Sequence, residues 1–214
     1  MTTIVTLWFA AWLHYQRGEH DVAAQITQQT IEIATTHSFL SWLDSALVLP
    51  YAAASEPASA ETLAELARQL AQRRGAAFRY VFSICVLAEL CLTSRCLEEG
   101  RRALASIGET DRQAFCAAEV HRIEGELIAR GGSPSDGEPR FRAAIEMARS
   151  RGAKSLELRA TMSLARLLLG QDRRDEARQA LAQIYGWFTE GFDTADLRDA
   201  KKLLDQLSTT IGPR

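Results

Sequence analysis

Apolar residues recur along almost the whole chain with the three-to-four-residue period of amphipathic helices, and strand-like alternation is nearly absent. Turn-prone segments such as "SEPAS", "GGSPSDG" and "GQD" separate the periodic stretches. Helices of about 12–20 residues joined by short loops are typical of antiparallel helical hairpins. The predicted helices lie approximately at residues 4–17, 20–36, 39–54, 59–74, 77–94, 96–107, 111–130, 139–151, 154–170, 174–188 and 195–208.

One hairpin supplies a template for a repeated unit. In "LARLLLGQDRRDEARQALAQI", Ala165 and Ala177 are small residues where two helices can cross closely, and Leu181 is a large apolar residue one turn later. The same template fits four other places, although the match is poor where a proline takes the first small position. The five anchors are spaced by 39, 38, 37 and 40 residues, at Ala11, Pro50, Ala88, Gly125 and Ala165.

Five units of similar length predict an α-helical solenoid in which each hairpin stacks on the next. We therefore expect a single helical-repeat domain over residues 1–214, with about five hairpins at 4–188 and a capping segment at 189–208. An irregular all-α domain is the alternative.

The repeated pattern of small and large residues resembles the tetratricopeptide repeat, whose standard unit is about 34 residues. The units here are longer, and most lack the Trp, Tyr and Pro positions of that signature. The resemblance implies a tetratricopeptide-like right-handed superhelix of antiparallel hairpins with a C-terminal capping helix.

The C-terminal half resembles the repeat region of large bacterial signalling proteins. The segments "AEVHRIEGELIAR", "FRAAIEMARSRGAKSLELRATMSLARLL" and "YGWFTEGFDTADLRDAKKLLDQL" carry this resemblance, which covers residues 118–207 and extends with fewer matches to about residue 8. In that family a class III adenylate/guanylate cyclase domain or a DNA-binding domain precedes an ATPase core and then the repeats. The resemblance implies a regulatory role in bacterial signalling.

The sequence shows no catalytic constellation of its own. There is no G-x-x-x-x-G-K-[ST] loop to hold phosphates, and no strand-rich stretch that could carry a cyclase metal site. The four histidines do not pair at metal-ligand spacing, and the cysteines lack a C-x-x-C pair. We therefore expect no enzymatic activity, no cofactor and no metal, and we interpret the cysteines as structural thiols.

The composition and charge of the chain limit its expected location and its expected partners. A hydrophobic content of 47% and a charged content of 24% are ordinary for a globular protein, and a net charge of −2 gives no global attraction to nucleic acid or anionic membranes. The apolar run "IVTLWFAAWL" is shorter than the roughly 20 residues that span a bilayer, and no basic residue precedes it. We expect a cytoplasmic protein without a membrane segment.

The first helix is apolar around nearly its whole circumference, which is typical of a helix buried on all sides. The end helix of a solenoid should instead present one polar face to water. We therefore expect an upstream domain, a second copy of the chain or a partner protein to cover this helix, with Trp8, Phe9 and Trp12 as the candidate contact residues.

Basic residues concentrate between 140 and 178, where ten Lys or Arg stand against five Asp or Glu. Few Glu-to-Arg pairs at helical spacing are apparent there. The segment could present a basic stripe to an acidic protein surface, and nucleic-acid binding is the less favoured interpretation. The candidate stripe residues are Arg142, Arg149, Arg159 and Arg166.

The segment "YGWFTEGFDTADLRDAKKLLDQL" combines aromatic residues with carboxylates at every third position. The carboxylates at Asp193 and Asp196 fit the start of a helix better than a metal site. Asp193 or Thr194 makes a good N-cap, and carboxylates are stabilised near the N-terminus of a helix. We predict a structural cap for the last hairpin, although a small-molecule pocket at this corner stays open. The predicted cap residues are Tyr185, Trp187, Phe188, Phe192 and Leu197.

Together these patterns favour a non-catalytic protein–protein interaction or regulatory scaffold. The alternatives are a helical domain that senses a small molecule in its groove, and a remnant of a larger cyclase or ATPase regulator without an independent role.

Overall fold

The computed structural model describes residues 2–39, 42–43, 48–52, 57–72, 77–108 and 116–209. Within these ranges all regular structure is helical, which confirms the prediction of an all-α protein. The helices are α1 (Thr2–Gln16), α2 (His20–Thr36), α3 (Leu49–Ala52), α4 (Ala60–Gln72), α5 (Ala77–Thr93), α6 (Leu97–Ala105), α7 (Ala117–Arg130), α8 (Pro134–Ser150), α9 (Lys154–Gly170), α10 (Arg174–Tyr185) and α11 (Ala195–Ser208).

Most predicted helix boundaries lie within about two residues of the observed ones, and the exceptions involve Gly and Pro. Helix α8 begins at Pro134, five residues before the predicted start, because proline is tolerated in the first turn of a helix. Helix α10 ends at Tyr185 rather than at 188. Half of the predicted helix 39–54 and the first five residues of the predicted helix 111–130 lie outside the described residues.

The chain divides into two compact units, Met1–Cys116 and Ala117–Arg214. In unit 1, α1 packs against α2, and α5 packs against α4 and α6. An aromatic cluster forms part of its core, since Trp8 lies edge-on to Phe82 and to Trp42 with ring centroids 5.8 and 6.5 Å apart. The hydroxyl of Tyr15 donates a 2.7 Å hydrogen bond to Glu89 and thereby links α1 to α5.

In unit 2 the helices α7 to α11 pack each against the next, and the alternate helices α7, α9 and α11 also contact one another in turn. The apolar core runs without interruption from Phe141 on α8 to Leu207 on α11. This arrangement is consistent with the antiparallel helical hairpins that the sequence predicts.

The small residues of the template lie at close helix crossings. A Cβ atom on Gly125 of α7 would lie 2.6 Å from Cε1 of Phe141, and one on Gly137 would lie 2.8 Å from the carbonyl oxygen of Gly125. In the next hairpin Ala165 and Ala177 are fully buried. The anchor Pro50 in unit 1 is exposed and departs from this pattern.

Several helices end in the same kind of turn. A residue with positive φ follows the helix, and the amide of the next residue donates a hydrogen bond to a carbonyl five residues earlier. This Schellman-type motif gives a hydrogen-bond partner to a carbonyl of the last helical turn. The turn after α8 uses Gly152, followed by the bond from Ala153 to Ala148. The turn after α9 uses Asp172, followed by the bond from Arg173 to Leu168.

Candidate functional site

Every second helix of unit 2 contributes a charged side chain to one connected cluster. Arg122 donates two hydrogen bonds to the carboxylate of Glu119 one turn away on α7, at 2.6 and 3.0 Å. Arg159 on α9 lies 3.1 Å from Glu119 and 3.7 Å from Asp196 in the first turn of α11. We call these four residues the inner charge network.

The inner charge network is largely withdrawn from water. Glu119 is 6% exposed and Arg122 is 8% exposed, and side chains of this kind are rarely so buried unless their charges are paired. Burial by itself raises the pKa of Glu119, but the positive charges of Arg122 and Arg159, with the hydrogen bonds from Arg122, lower that pKa to about 2. Glu119 is therefore ionised at neutral pH.

A carboxylate with so low a pKa is a poor proton donor and a poor base near pH 7. The arrangement instead joins α7, α9 and α11 through charge-assisted contacts. A second link runs in parallel, because Ser163 on α9 donates a 2.7 Å hydrogen bond to Glu126 on α7. The charged side chains of α7, α9 and α11 therefore connect the helices structurally.

These contacts recur at nearly constant separations along the chain. Glu119 and Arg159 are 40 residues apart, and the pairs Glu126–Ser163 and Arg159–Asp196 are each 37 residues apart. On the other alternate set of helices, Arg173 contacts Glu138 across 35 residues and Arg142 contacts Glu176 across 34. The spacing is close to that of the sequence anchors.

The predicted basic stripe is largely neutralised inside unit 2. Arg142 donates hydrogen bonds of 2.6 Å to Glu138 and 2.8 Å to Glu176, and Arg149 donates one of 2.7 Å to Glu157. The expectation of few Glu-to-Arg pairs is therefore wrong, because several partners lie on neighbouring helices and others at i,i+3 and i,i+4 positions.

Arg159 belongs to the inner charge network and is mostly buried. Arg166, one turn beyond Ser163 on the same helix, is exposed, and it has no carboxylate partner in the part of the chain that the structure describes. Of the four stripe candidates, Arg166 alone therefore has an uncompensated charge for a partner.

The three candidate residues on α1 differ in exposure. Trp8 is 2% exposed and lies in the core of unit 1, so it cannot contact a partner without unfolding; this corrects its assignment to a binding surface. Trp12 is half-buried, with its ring centroid 6.1 Å from that of Phe82. Phe9 is 47% exposed, as is Leu13 at 54%, one turn further along. We call Phe9 and Leu13 the α1 patch.

Within the single chain α1 is buried on one side only, and the partner expected to cover its other side stays a prediction. Its buried residues form one stripe, and the α1 patch lies on the opposite side together with the exposed residues Thr2 and Thr6. The stripe consists of Ile4, Trp8, Ala11 and Tyr15.

The predicted cap residues also separate into two groups. Leu197 is buried, and Tyr185 and Phe188 pack against the core of unit 2. Trp187 is 57% exposed and Phe192 is 46% exposed, so these two do not cover the core as predicted. The reason is that α10 ends at Tyr185, so that the residues after it lie in a loop; the apolar side of α11 covers the hairpin instead, with Leu197, Leu203 and Leu207.

The described residues contain no group of three or more His, Cys, Asp or Glu side chains that could hold a metal ion. Of the four free cysteines, Cys85, Cys91 and Cys116 are buried. Burial, with added repulsion from Cys96 and Glu99, raises the pKa of Cys91 to about 12, so that this thiol is unreactive at neutral pH.

Sequence reasoning missed Glu119 and Arg122. Their i,i+3 spacing within "AEVHRIEGELIAR" was the available signal, and both are flanked by the buried residues Val120 and Ile123. The pattern of one helix does not show that Arg159, 37 residues beyond Arg122, completes the cluster.

These features define an all-α protein built from packed helical hairpins, with a buried charge network in its second unit. No protein-family model, curated protein or solved structure matches this chain. Within the described ranges, each helix is too short or too polar to cross a membrane.

Proposed function

We propose that this chain is a non-catalytic scaffold for protein–protein interaction and regulation. In this proposal the hairpins of each unit stack as a tetratricopeptide-like right-handed superhelix. The module serves bacterial signalling, as the resemblance of residues 118–207 to the repeat region of cyclase and ATPase regulators suggests.

The recurrence of contacts between alternate helices of unit 2 carries this proposal. Side chains 34 to 40 residues apart meet repeatedly, from Glu119 with Arg159 to Arg142 with Glu176. Such recurrence is expected when hairpins of similar length stack side by side. Stacked hairpins present extended surfaces, which suit protein partners better than small substrates.

The two ends of the chain suggest where a partner binds. The outward side of α11 is charged, with Arg198, Asp199 and Lys202 exposed, as suits a helix that faces water. Helix α1 contains no Lys, Arg, Asp or Glu, and it exposes the α1 patch. We propose that a second copy of α1 covers the patch, because two uncharged faces can meet without like-charge repulsion.

Light scattering of the purified full-length chain over a concentration series tests this assignment. We expect an assembly larger than the monomer that the double variant Phe9→Ser/Leu13→Ser dissociates, with a loss of affinity of about ten-fold or more. Both positions are exposed, so the variant should keep its helical circular dichroism; Trp8→Ser would instead disrupt the core.

The matched control is Thr2→Ser/Thr6→Ser on the same side of α1, which should leave the assembly unchanged. A wild-type chain that stays monomeric at all concentrations would exclude self-association through α1. Substrate turnover abolished by replacing a single carboxylate would contradict the non-catalytic proposal itself.

A further inference from the structure

The loop between α10 and α11 exposes two large aromatic side chains within six residues. Trp187 and Phe192 are the exposed large apolar side chains in the described part of unit 2. Exposed aromatic residues are enriched where proteins bind one another, and Trp is among the residues that contribute most to binding energy. We call Trp187, Glu190, Phe192 and Asp193 the loop patch.

Partly buried neighbours hold the two exposed rings in place. Trp187 lies edge-on to Phe188 with ring centroids 5.2 Å apart, and Phe192 lies 5.8 Å from Tyr185. Both supporting rings pack against the core of unit 2. A surface whose side chains are already ordered loses less conformational entropy when a partner binds.

The backbone of the loop is ordered as well. Gly191 adopts φ of 76°, a left-handed conformation that favours glycine. Its carbonyl oxygen accepts hydrogen bonds from the amide of Thr194 at 2.9 Å and from the hydroxyl of Thr194 at 2.7 Å. This turn fixes the position of Phe192 next to the start of α11.

The loop patch also carries two uncompensated negative charges. Glu190 and Asp193 are exposed and make no ion pair with any described residue. Elsewhere in unit 2 many carboxylates are paired with arginine, including those of Glu119, Glu138 and Glu176. This loop therefore exposes two aromatic rings and two carboxylates that have no ion pair with a described residue, all within residues 187–193.

A cation already approaches one of these rings. The ammonium group of Lys154 lies 5.7 Å from the centroid of Trp187 while it donates a 2.8 Å hydrogen bond to Glu157. The distance is within the range of a cation–π interaction. The indole ring of Trp187 thus already interacts with one cation of the same unit.

We propose that the loop patch is a docking site for a partner peptide that combines Lys or Arg with aliphatic or aromatic side chains. The apolar side chains would contact Trp187 and Phe192, and the basic ones would pair with Glu190 and Asp193. Nucleic acid and acidic proteins are disfavoured here, because both carboxylates would repel them. This inference rests on the proposed scaffold function and specifies the chemistry of one partner.

Fluorescence anisotropy with labelled synthetic peptides and the full-length chain tests the proposal. Three 12-residue probes of equal length are compared: alternating Lys/Arg with Leu/Phe, alternating Glu with Leu/Phe, and alternating Lys/Arg with Ser. We expect saturable binding of the first probe alone. Its affinity should fall by about ten-fold or more in Trp187→Ala/Phe192→Ala.

The charge requirement has its own variant and control. Glu190→Gln/Asp193→Asn should weaken binding of the basic–apolar probe and reduce its dependence on salt, because ionic strength screens exposed charge pairs. The exposed substitution Val22→Ser, on α2, should leave the affinity unchanged. All four substituted loop residues are exposed, so circular dichroism should show the same helical content in each variant.

The outcomes separate this inference from the scaffold function. Binding of the basic–Ser probe as tightly as the basic–apolar probe would overturn the loop site, as would equal affinity in the wild type and the loop variants. If a probe binds but the loop variants do not lower its affinity, the loop proposal fails, while a scaffold that binds its partner through another surface is still supported. If none of the three probes binds, the loop proposal fails, and α1 self-association in light scattering then decides the scaffold proposal.

Discussion

Glu119 shows how one residue can connect several helices. Its carboxylate accepts hydrogen bonds from Arg122 and also faces Arg159, which in turn faces Asp196, so that two anions meet two cations in one network. Such a buried pair adds little net stability relative to apolar residues, but removing one partner leaves a charge buried without compensation. The network therefore favours one relative placement of α7 and α9.

Replacement of Glu119 by Gln should lower the free energy of unfolding by about 3 kcal/mol, because two largely buried guanidinium groups lose their contact with the Glu119 carboxylate. Urea denaturation of the full-length chain measures this change. The matched control is Glu146→Gln, which removes an exposed carboxylate from its contact with Arg149 and should change the stability by less than about 0.5 kcal/mol.

The pH dependence of the same pair tests the low pKa. Glu119 has a pKa of about 2 in the folded chain against an ordinary value of 4.5, so its contribution is fully present above about pH 5 and is lost as the pH falls toward 2. The stability difference between wild type and Glu119→Gln should therefore shrink between pH 5 and pH 2. A difference that stays constant over this range would show that the pKa of Glu119 is not lowered.

At the scale of the elements, the crossing of α7 and α8 depends on the absence of side chains. Gly125 and Gly137 face each other at this crossing, and the ring of Phe141 fills the space beside them. Glycine within a helix reduces its intrinsic stability, so its presence at both positions is explained by close packing rather than by helix propensity.

The variant Gly125→Ala should be less stable by about 1–3 kcal/mol, because the new methyl group would overlap the buried ring of Phe141. This loss would outweigh the gain in helix propensity, which is about 1 kcal/mol. Gly170→Ala is the control, since a Cβ atom there meets nothing within 4 Å, and it should be neutral or slightly stabilising. Equal stability of the two variants in urea would contradict the close crossing.

On the scale of the whole molecule, the chain consists of two compact units, and each has its own buried residues. Unit 2 has an apolar core that is continuous from α8 to α11. Because stacked hairpins are stabilised mainly by their immediate neighbours, a unit with a continuous core should fold as one cooperative segment.

A fragment of residues 117–214 should therefore be helical and unfold in a single transition, as monitored by circular dichroism in urea. Leu168→Ala within the fragment should lower its stability by about 2–5 kcal/mol, because Leu168 is fully buried. The exposed substitution Arg178→Ala should have little effect. A fragment without a cooperative transition would contradict the assignment of unit 2 as a self-contained unit.

The periodic pattern of apolar residues was sufficient to predict the all-α class and most helix positions, because the helical period places apolar residues on one face whatever the helix packs against. It also located the small residues Gly125 and Ala165, since a close crossing requires them wherever hairpins stack. It failed at the start of α8, where Pro, Ser and Gly suggest a loop by composition. A prediction from one segment could not weigh the packing of Gly137 against α7.

The positions of individual side chains depended on how the helices are arranged in space. Trp8 and Phe9 are adjacent apolar residues of one helix, yet only Trp8 meets the ring of Phe82 and is buried. Arg159 is one basic residue among ten in its segment, and it joins a buried network because α7 and α11 lie beside α9. Helical periodicity is a local property of the chain, whereas the burial of Trp8 against Phe82 and the pairing of Arg159 with Glu119 and Asp196 depend on residues that are distant in sequence.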